Sequence, residues 1–332
     1  MLVSLEAVHQ GQIPSEKWQV DALNAVRKSL ETQGFPCVFG VSGYRKNTHF
    51  FSFLDFPYRI DELKLDMVSY LENIKDTVKD VKKTGIAGLM IIFQPISPRM
   101  SINQRRFLTW QTLTEMKKKY EPNQPFNPEN DDFAFEFLGE TWFVNFSSEA
   151  YQHRNSRKIG VFAALITQPL SMSDAYFEHS NVKKAKGQKA VRLLAERFDK
   201  MPVHPGLGPV IGESEKPFPM KLSYYVGDRT EDPSFEPWKY QSLSGLPIYI
   251  DEQLLTDSQL KNDVSVLLEY KKVELINISK VPEFDHDVLI VSSQKLMRAH
   301  VHSVVLDENS EESITHVSTL IDVLGAFEEK VI

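Results

Sequence analysis

One short run holds more reactive side chains than any other in this chain: Tyr151-Gln152-His153-Arg154-Asn155-Ser156-Arg157. An imidazole titrates near neutrality, so it can carry a proton or, when neutral, ligate a metal. Arg154 and Arg157 stand three apart, where both planar donor forks can reach anionic groups such as carboxylates. Few folds need a histidine, two arginines, a serine and an asparagine crowded into one loop for packing alone.

Two aromatic runs with a period of two precede that loop. Phe133, Phe135 and Phe137 form one, Trp142, Val144 and Phe146 the other, with Gly139-Glu140 between them. The pattern predicts a β-hairpin. In the first run the pleat sends the three phenylalanines to one face and Ala134, Glu136 and Leu138 to the other, so a carboxylate stands among apolar neighbours. Burying it unpaired would be costly, and a guanidinium, which bridges a carboxylate with two parallel hydrogen bonds, is its natural partner. Two other fates compete: a pairing with a protein arginine such as Arg154, or a place facing water on an uncovered side of the sheet. On the second run, Asn145 is a candidate to share substrate binding with Glu136.

A haem would use these parts together: one axial imidazole from His153, basic residues for its propionates from Arg154 and Arg157, and aromatic walls for the macrocycle. Ser156 and Tyr151 would order the loop. Other constellations are weaker. The run His204-Pro205-Gly206-Leu207-Gly208-Pro209 has a Gly-x-Gly, but proline interrupts it and no helix start follows to cradle a phosphate. His300 and His302 share one face of a strand, yet no third ligand is near. Cys37 in its Phe-Pro-Cys-Val-Phe setting reads as a small buried hydrophobe with no evident cation to stabilise a thiolate. It is the single cysteine, which excludes an internal disulfide and a cysteine-based zinc cage.

The elements that must position the loop follow from periodicity. Leu63, Met67, Leu71, Ile74, Val78 and Val81 step by three and four behind Asp61, a helix N-cap candidate. Further helices are predicted from Ser15 to Gly34, from Ser101 to Tyr120 and over 185–198, and strands over 49–54 and 160–167. The apolar run 85–93, bounded by glycine and proline, predicts a central strand covered on both faces. Prolines at 217, 219, 233, 237 and 247 with acidic residues between them read as a connecting arm. Beyond it, strands over 264–270, 273–278, 288–292 and 301–307 alternate with helical stretches, ending in an amphipathic helix over 313–331.

The expected architecture is therefore α+β. A mixed sheet with flanking helices forms a haem pocket over residues 1–212, a Pro-rich arm spans 213–247, and a small α/β domain fills 248–332. Length agrees, since single cores stop growing at roughly 250–300 residues and the chain has 332. A net charge of -7 supplies no field for nucleic acid or anionic lipid. No apolar run approaches the roughly 20 residues that span a bilayer, and no signal peptide is evident, so a cytoplasmic protein is expected.

At these residues the sequence resembles the YqcI/YcgG-type haem-dependent N-oxygenases, which include guanidine and arginine N-hydroxylases. The similar segments are Phe35-Pro-Cys-x-Phe-Gly40, Phe-Glu-Phe-x-Gly-Glu-x-Trp-Phe-Val-Asn over 135–145, Ala150-Tyr-x-His-Arg-x-Ser-Arg157 and Thr167-Gln-Pro169. They lie in the expected order within residues 15–212. The resemblance implies a b-type haem held by one histidine and transfer of an oxygen atom from O2 to a nitrogen of a small guanidine or amine, arginine above all. His153 matches the family's histidine loop, although some members carry the histidine one place earlier, where this chain has Gln152. Electrons would come from a separate reductase, and a homodimer is an open expectation. The competing reading is a haem-binding sensor or carrier without turnover, whose C-terminal domain passes on the signal.

Overall fold

The computed structural model describes residues 2–242 apart from 13, 56–57, 80, 82–84, 96–99, 180–182, 211–212 and 214–217, and beyond them 248–252, 273–277, 288–292, 301–305 and 327–329. The chain divides into two compact units, Met1–Trp238 and Lys239–Ile332.

The first unit is α+β, built on one mixed six-stranded sheet. Its strands are β1 (Leu2–Ser4), β2 (Phe50–Leu54), β3 (Leu89–Phe93), β4 (Glu136–Phe137), β5 (Glu140–Ser147) and β6 (Ala163–Pro169), in the order β1-β2-β3-β6-β5-β4. The sequence Leu-Met-Ile-Ile-Phe of β3 is buried at every position, and β3 runs parallel to β2 on one side and antiparallel to β6 on the other. An unbroken apolar strand belongs in such a central place because both of its faces are covered.

The hairpin β4-β5 closes with Phe137 opposite Glu140, and its two turn residues, Leu138 and Gly139, have φ of 56° and 73°. Positive φ at both positions is the tight turn whose twist matches the flanking strands, and glycine adopts it without strain. Phe135, Phe137, Trp142, Val144 and Phe146 are all buried, as the period of two requires.

Helices flank the sheet: α1 (Leu5–His9), α2 (Lys17–Glu31), α3 (Val38–Arg45), α4 (Ile60–Lys79), α5 (Ile102–Tyr120), α6 (Leu170–His179) and α7 (Lys184–Asp199). Ala22, Val26 and Leu30 of α2 join Phe51, Phe53, Met90, Ile92, Ile159 and Val161 in one core cluster. On α4, Leu63, Met67, Tyr70 and Ile74 are buried, and Tyr70 donates to the Ala87 carbonyl at 2.7 Å. Ser101 and Gln104 form a capping box at the start of α5, satisfying amides that the helix itself leaves open.

One helix that the sequence reading leaves unassigned and two differences from its expectations stand out. Val38–Arg45 is helical although it contains two glycines; Gly43 is needed because a Cβ there would meet the His49 ring at 2.5 Å. The proline-rich stretch read as an arm is, from Pro219 to Trp238, part of the first unit, with Tyr224, Tyr225, Val226, Phe235 and Trp238 buried. There the prolines shape short turns whose aromatics fill the core. Phe327–Glu329, expected to be helical, is strand β12 and pairs antiparallel with β7 (Tyr240–Ser242).

The second unit also holds a four-stranded sheet, all parallel, with β8 (Ile248–Asp251), β9 (Val273–Ile276), β10 (Val288–Ser292) and β11 (Val301–Val305) in the order β11-β10-β8-β9. The predicted strand over 264–270, most of the predicted helix over 313–331, and His300 lie outside the described residues. Among the described residues, no helix is long and apolar enough to cross a membrane.

Candidate functional site

The loop 151–157 leaves the end of β5, passes through a short 3-10 turn at Asn155–Arg157 and leads on to β6. It is built into the protein rather than draped over it: Tyr151 is 0% exposed, Arg154 3% and Arg157 8%. Two carboxylates hold it, and sequence reading had singled out neither. Asp199, the last residue of α7, accepts from the Ser156 backbone N–H and hydroxyl, both at 2.6 Å, and its Oδ2 lies 3.6 Å from Arg154 Nη1. Asp228 takes the backbone N–H groups of Gln152 (3.0 Å), His153 (2.9 Å) and Arg154 (3.0 Å). Partial burial raises the Asp228 pKa, but those three donors outweigh it and hold the carboxyl below its ordinary range.

The residues just before Asp228 take the side chains. The Val226 carbonyl accepts from Tyr151 Oη at 3.0 Å and from Arg106 Nη2 at 2.6 Å, and the Gly227 carbonyl from Arg154 Nε at 3.2 Å. Gly227 tolerates no larger residue, because a Cβ would meet Asp232 Cβ at 2.6 Å and His204 Nε2 at 2.8 Å. Arg157 donates to Asn145 Oδ1 of β5, and its carbonyl accepts from Ser147 Oγ at 2.6 Å. Burial pulls the Arg157 guanidinium below its ordinary pKa, with Tyr151 and Asp199 opposing. Arg105, also buried, spreads its donors over the Met100 and Phe162 carbonyls, Ser148 and Glu149.

This network gathers guanidinium groups faster than it supplies acceptors. Among the described residues, the buried atoms Arg154 Nη2 and Arg106 Nε have no hydrogen-bond partner. A buried cationic donor left unpaired is costly, so such atoms mark where an anionic or carbonyl group of a ligand would be welcome.

The histidines divide sharply. Both ring nitrogens of His49 are engaged, Nε2 with the Gly40 carbonyl at 2.7 Å and Nδ1 with the Gly88 N–H at 3.0 Å. His204 is engaged in the same way by the Asp232 carbonyl (2.7 Å) and the Gly206 N–H (2.9 Å). The half-buried His153 has its backbone fixed, but its ring makes no hydrogen bond among the described residues.

Glu136 lies on the face the pleat gives it, opposite the phenylalanines, and of the fates open to it there it takes the one facing water. It is exposed, with Thr141 Oγ1 at 3.4 Å from its carboxylate, because the hairpin buries only the phenylalanine face of β4. The structure thus brings Tyr151, His153, Arg154, Ser156, Arg157 and Asn145 into one region and leaves Glu136 on the surface. Cys37 also needs correction: it does have a cation in its surroundings, Arg157. Burial nevertheless pushes its thiol up, outweighing the Gly40 N–H bond at 3.3 Å and the Arg157 charge, so it stays protonated.

Compared with known families, residues 26–217 match the YqcI/YcgG family. The chain belongs to the YqcI/YcgG family. Two relatives from Bacillus subtilis (strain 168) carry the family's names and are called uncharacterized. YqcI is 27% identical over 203 residues, 58% of this chain and 77% of that protein, and YcgG is 24% identical over 246 residues, 70% and 91%. A third relative, from Streptomyces lavendulae, is 26% identical over 212 residues, 61% of this chain and 79% of its own length, and bears the name "Putative N(omega)-hydroxy-L-arginine synthase DcsA". No solved structure matches the chain. The family match stops at 217, so Val226–Asp228, which hold the loop, lie beyond it.

Proposed function

We propose that this member of the YqcI/YcgG family is a haem-dependent N-hydroxylase that acts on a guanidine nitrogen, with arginine or an arginine-like compound as substrate and electrons drawn from a separate reductase. The name of the Streptomyces lavendulae relative supports the reaction class. The observation that carries the cofactor is the His153 ring, an imidazole on a fixed backbone with neither nitrogen hydrogen-bonded among the described residues. The donor chemistry around it fits a haem: Arg154 Nη2 is a buried cationic donor without an acceptor, suited to a propionate.

A b-type haem would supply activation of O2 for transfer of one oxygen atom to nitrogen. The protein's own tasks are positional. His153 would hold the iron, and Arg154 would offer its remaining donor to a carboxylate of the macrocycle. Tyr151 and Ser156 would keep the loop in register through Val226 and Asp199. Arg157, tied to Asn145, would brace the loop against β5. Substrate anchoring is not assigned to Glu136, because an exposed ion pair contributes about 0–1 kcal/mol.

The test is to reconstitute purified protein with haem, add a reductant, O2 and L-arginine, and follow both the Soret band and the product mass. Perturbation of the Soret band by arginine and a product heavier by one oxygen atom are expected. Haem binding without either response, for arginine and for simpler guanidines, would overturn the enzyme reading in favour of a sensor or carrier. Failure to bind haem would overturn both.

A further inference from the structure

We infer that Val226-Gly227-Asp228 is the template that positions His153, with Asp228 as its principal positioning residue. Five hydrogen bonds join these three residues to Tyr151–Arg154: two side chains give to the Val226 and Gly227 carbonyls, and three consecutive amides give to the Asp228 carboxylate. Asp228 thereby fixes the backbone of His153 and of the residue on either side, and it feels the charge of the His153 ring without a hydrogen bond to it among the described residues. Three successive N–H groups pointing at one place make a concavity suited to an anion, and Asp228 supplies that anion from a distant part of the chain.

The template is itself held. Arg106 of α5 donates to the Val226 carbonyl, Gly227 is pinned between Asp232 and His204, and Asp232 Oδ2 takes the Arg229 N–H at 2.8 Å. The sequence separation of 73 to 76 residues makes the contact a property of the folded unit and not of the loop. In physical terms, a ligand that must meet a metal at a set angle needs its main chain fixed by groups that do not compete for its ring. The role of Asp228 toward the iron rests on the haem reading above; its hold on the loop does not.

Two readouts separate them. Amide hydrogen exchange of Gln152, His153 and Arg154 is measured in the haem-free protein, and haem affinity together with the iron–imidazole spectroscopic signature in the loaded protein, for wild type, Asp228→Ala and Asp228→Asn. An exposed carboxylate variant, Asp21→Asn on α2, serves as control. In Asp228→Ala the three amides should exchange at least tenfold faster, haem should bind about tenfold more weakly, and the iron–imidazole signature should broaden; Asp228→Asn should fall between, and Asp21→Asn should match wild type. Melting and circular dichroism establish that each variant folds, and Asp228→Asn alone carries the comparison if the alanine variant does not. Unchanged exchange of the three amides would overturn the template. Faster exchange with unchanged haem affinity and signature would confine Asp228 to the loop and overturn its role toward the iron, and normal haem binding by His153→Ala would sink the haem reading while leaving the exchange result standing.

Discussion

His49 and His153 are the same residue held in opposite ways. His49 is walled in between α3 and β3, where Gly43 and Gly88 leave just enough room for its ring and Gly40 and Gly88 take up both nitrogens. His153 has the reverse arrangement, its main chain bonded to Asp228 and its ring free of hydrogen bonds among the described residues. A histidine whose ring is spent on backbone is a structural strut, whereas one held by its backbone alone keeps its chemistry available. Burial differs in the same sense, His49 being buried and His153 half-buried, although Arg154 and Arg157 beside His153 are buried.

The contrast is sharpest under substitution. His49→Ala orphans the Gly40 carbonyl and the Gly88 N–H and opens a cavity, so it should cost about 3–5 kcal/mol of stability. Chemical denaturation would show that loss with no change in haem affinity per folded molecule. Arg154→Ala leaves Asp199 buried with Ser156 as its remaining partner, and should cost about 3 kcal/mol in the same assay. It should also weaken haem binding, which His49→Ala should not.

Acid offers a second way to break the comparison. Burial lowers the His49 pKa below 6.5, against the opposing effect of its Gly40 and Gly88 bonds. Because the folded value lies below the unfolded one, the unfolded chain binds the proton first as pH falls. The stabilisation is complete above about 6.5 and drains away as pH drops beneath it toward the lowered folded value. His204 acts in the same sense, lowered first by burial. Melting temperature should therefore fall between pH 7 and 5, and His49→Gln should flatten that slope. An unchanged slope would mean that the His49 ring is not the buried neutral strut described here. The smallest effect belongs to Glu136→Gln, with stability within about 0.5 kcal/mol of wild type and arginine affinity unchanged; a marked loss of arginine binding would restore Glu136 as the anchor.

Much of the fold was legible because it rests on local pattern. The alternation of Phe133–Phe137 and Trp142–Phe146 is the hairpin, and the unbroken run Leu89–Phe93 is the central strand. What escaped was set by distant contacts. The helix Val38–Arg45 goes unassigned by pattern, since Gly40 and Gly43 are poor helix formers and the need for Gly43 lies in the His49 ring packed on it. Tyr224, Tyr225 and Trp238 were hidden among prolines that look like a linker. The loop 151–157 could be picked out by its residue types, but its two anchors could not: Asp199 resembles any acid on the polar side of an amphipathic helix, and Asp228 resembles any acid in a turn. Their partners lie 43 and 74 to 76 residues away.

The central claim is that His153 is the histidine whose ring is kept for a ligand. Its direct test is a haem titration of the purified protein, followed at the Soret band, for wild type and His153→Ala with the stability of each haem-free protein measured alongside. Wild type should bind one haem with the spectrum of an imidazole-ligated iron. His153→Ala should lose that spectrum and most of its affinity while its haem-free stability stays within about 1 kcal/mol of wild type, since the ring makes no hydrogen bond among the described residues. Equal haem affinity and an identical spectrum in the two proteins would contradict the account.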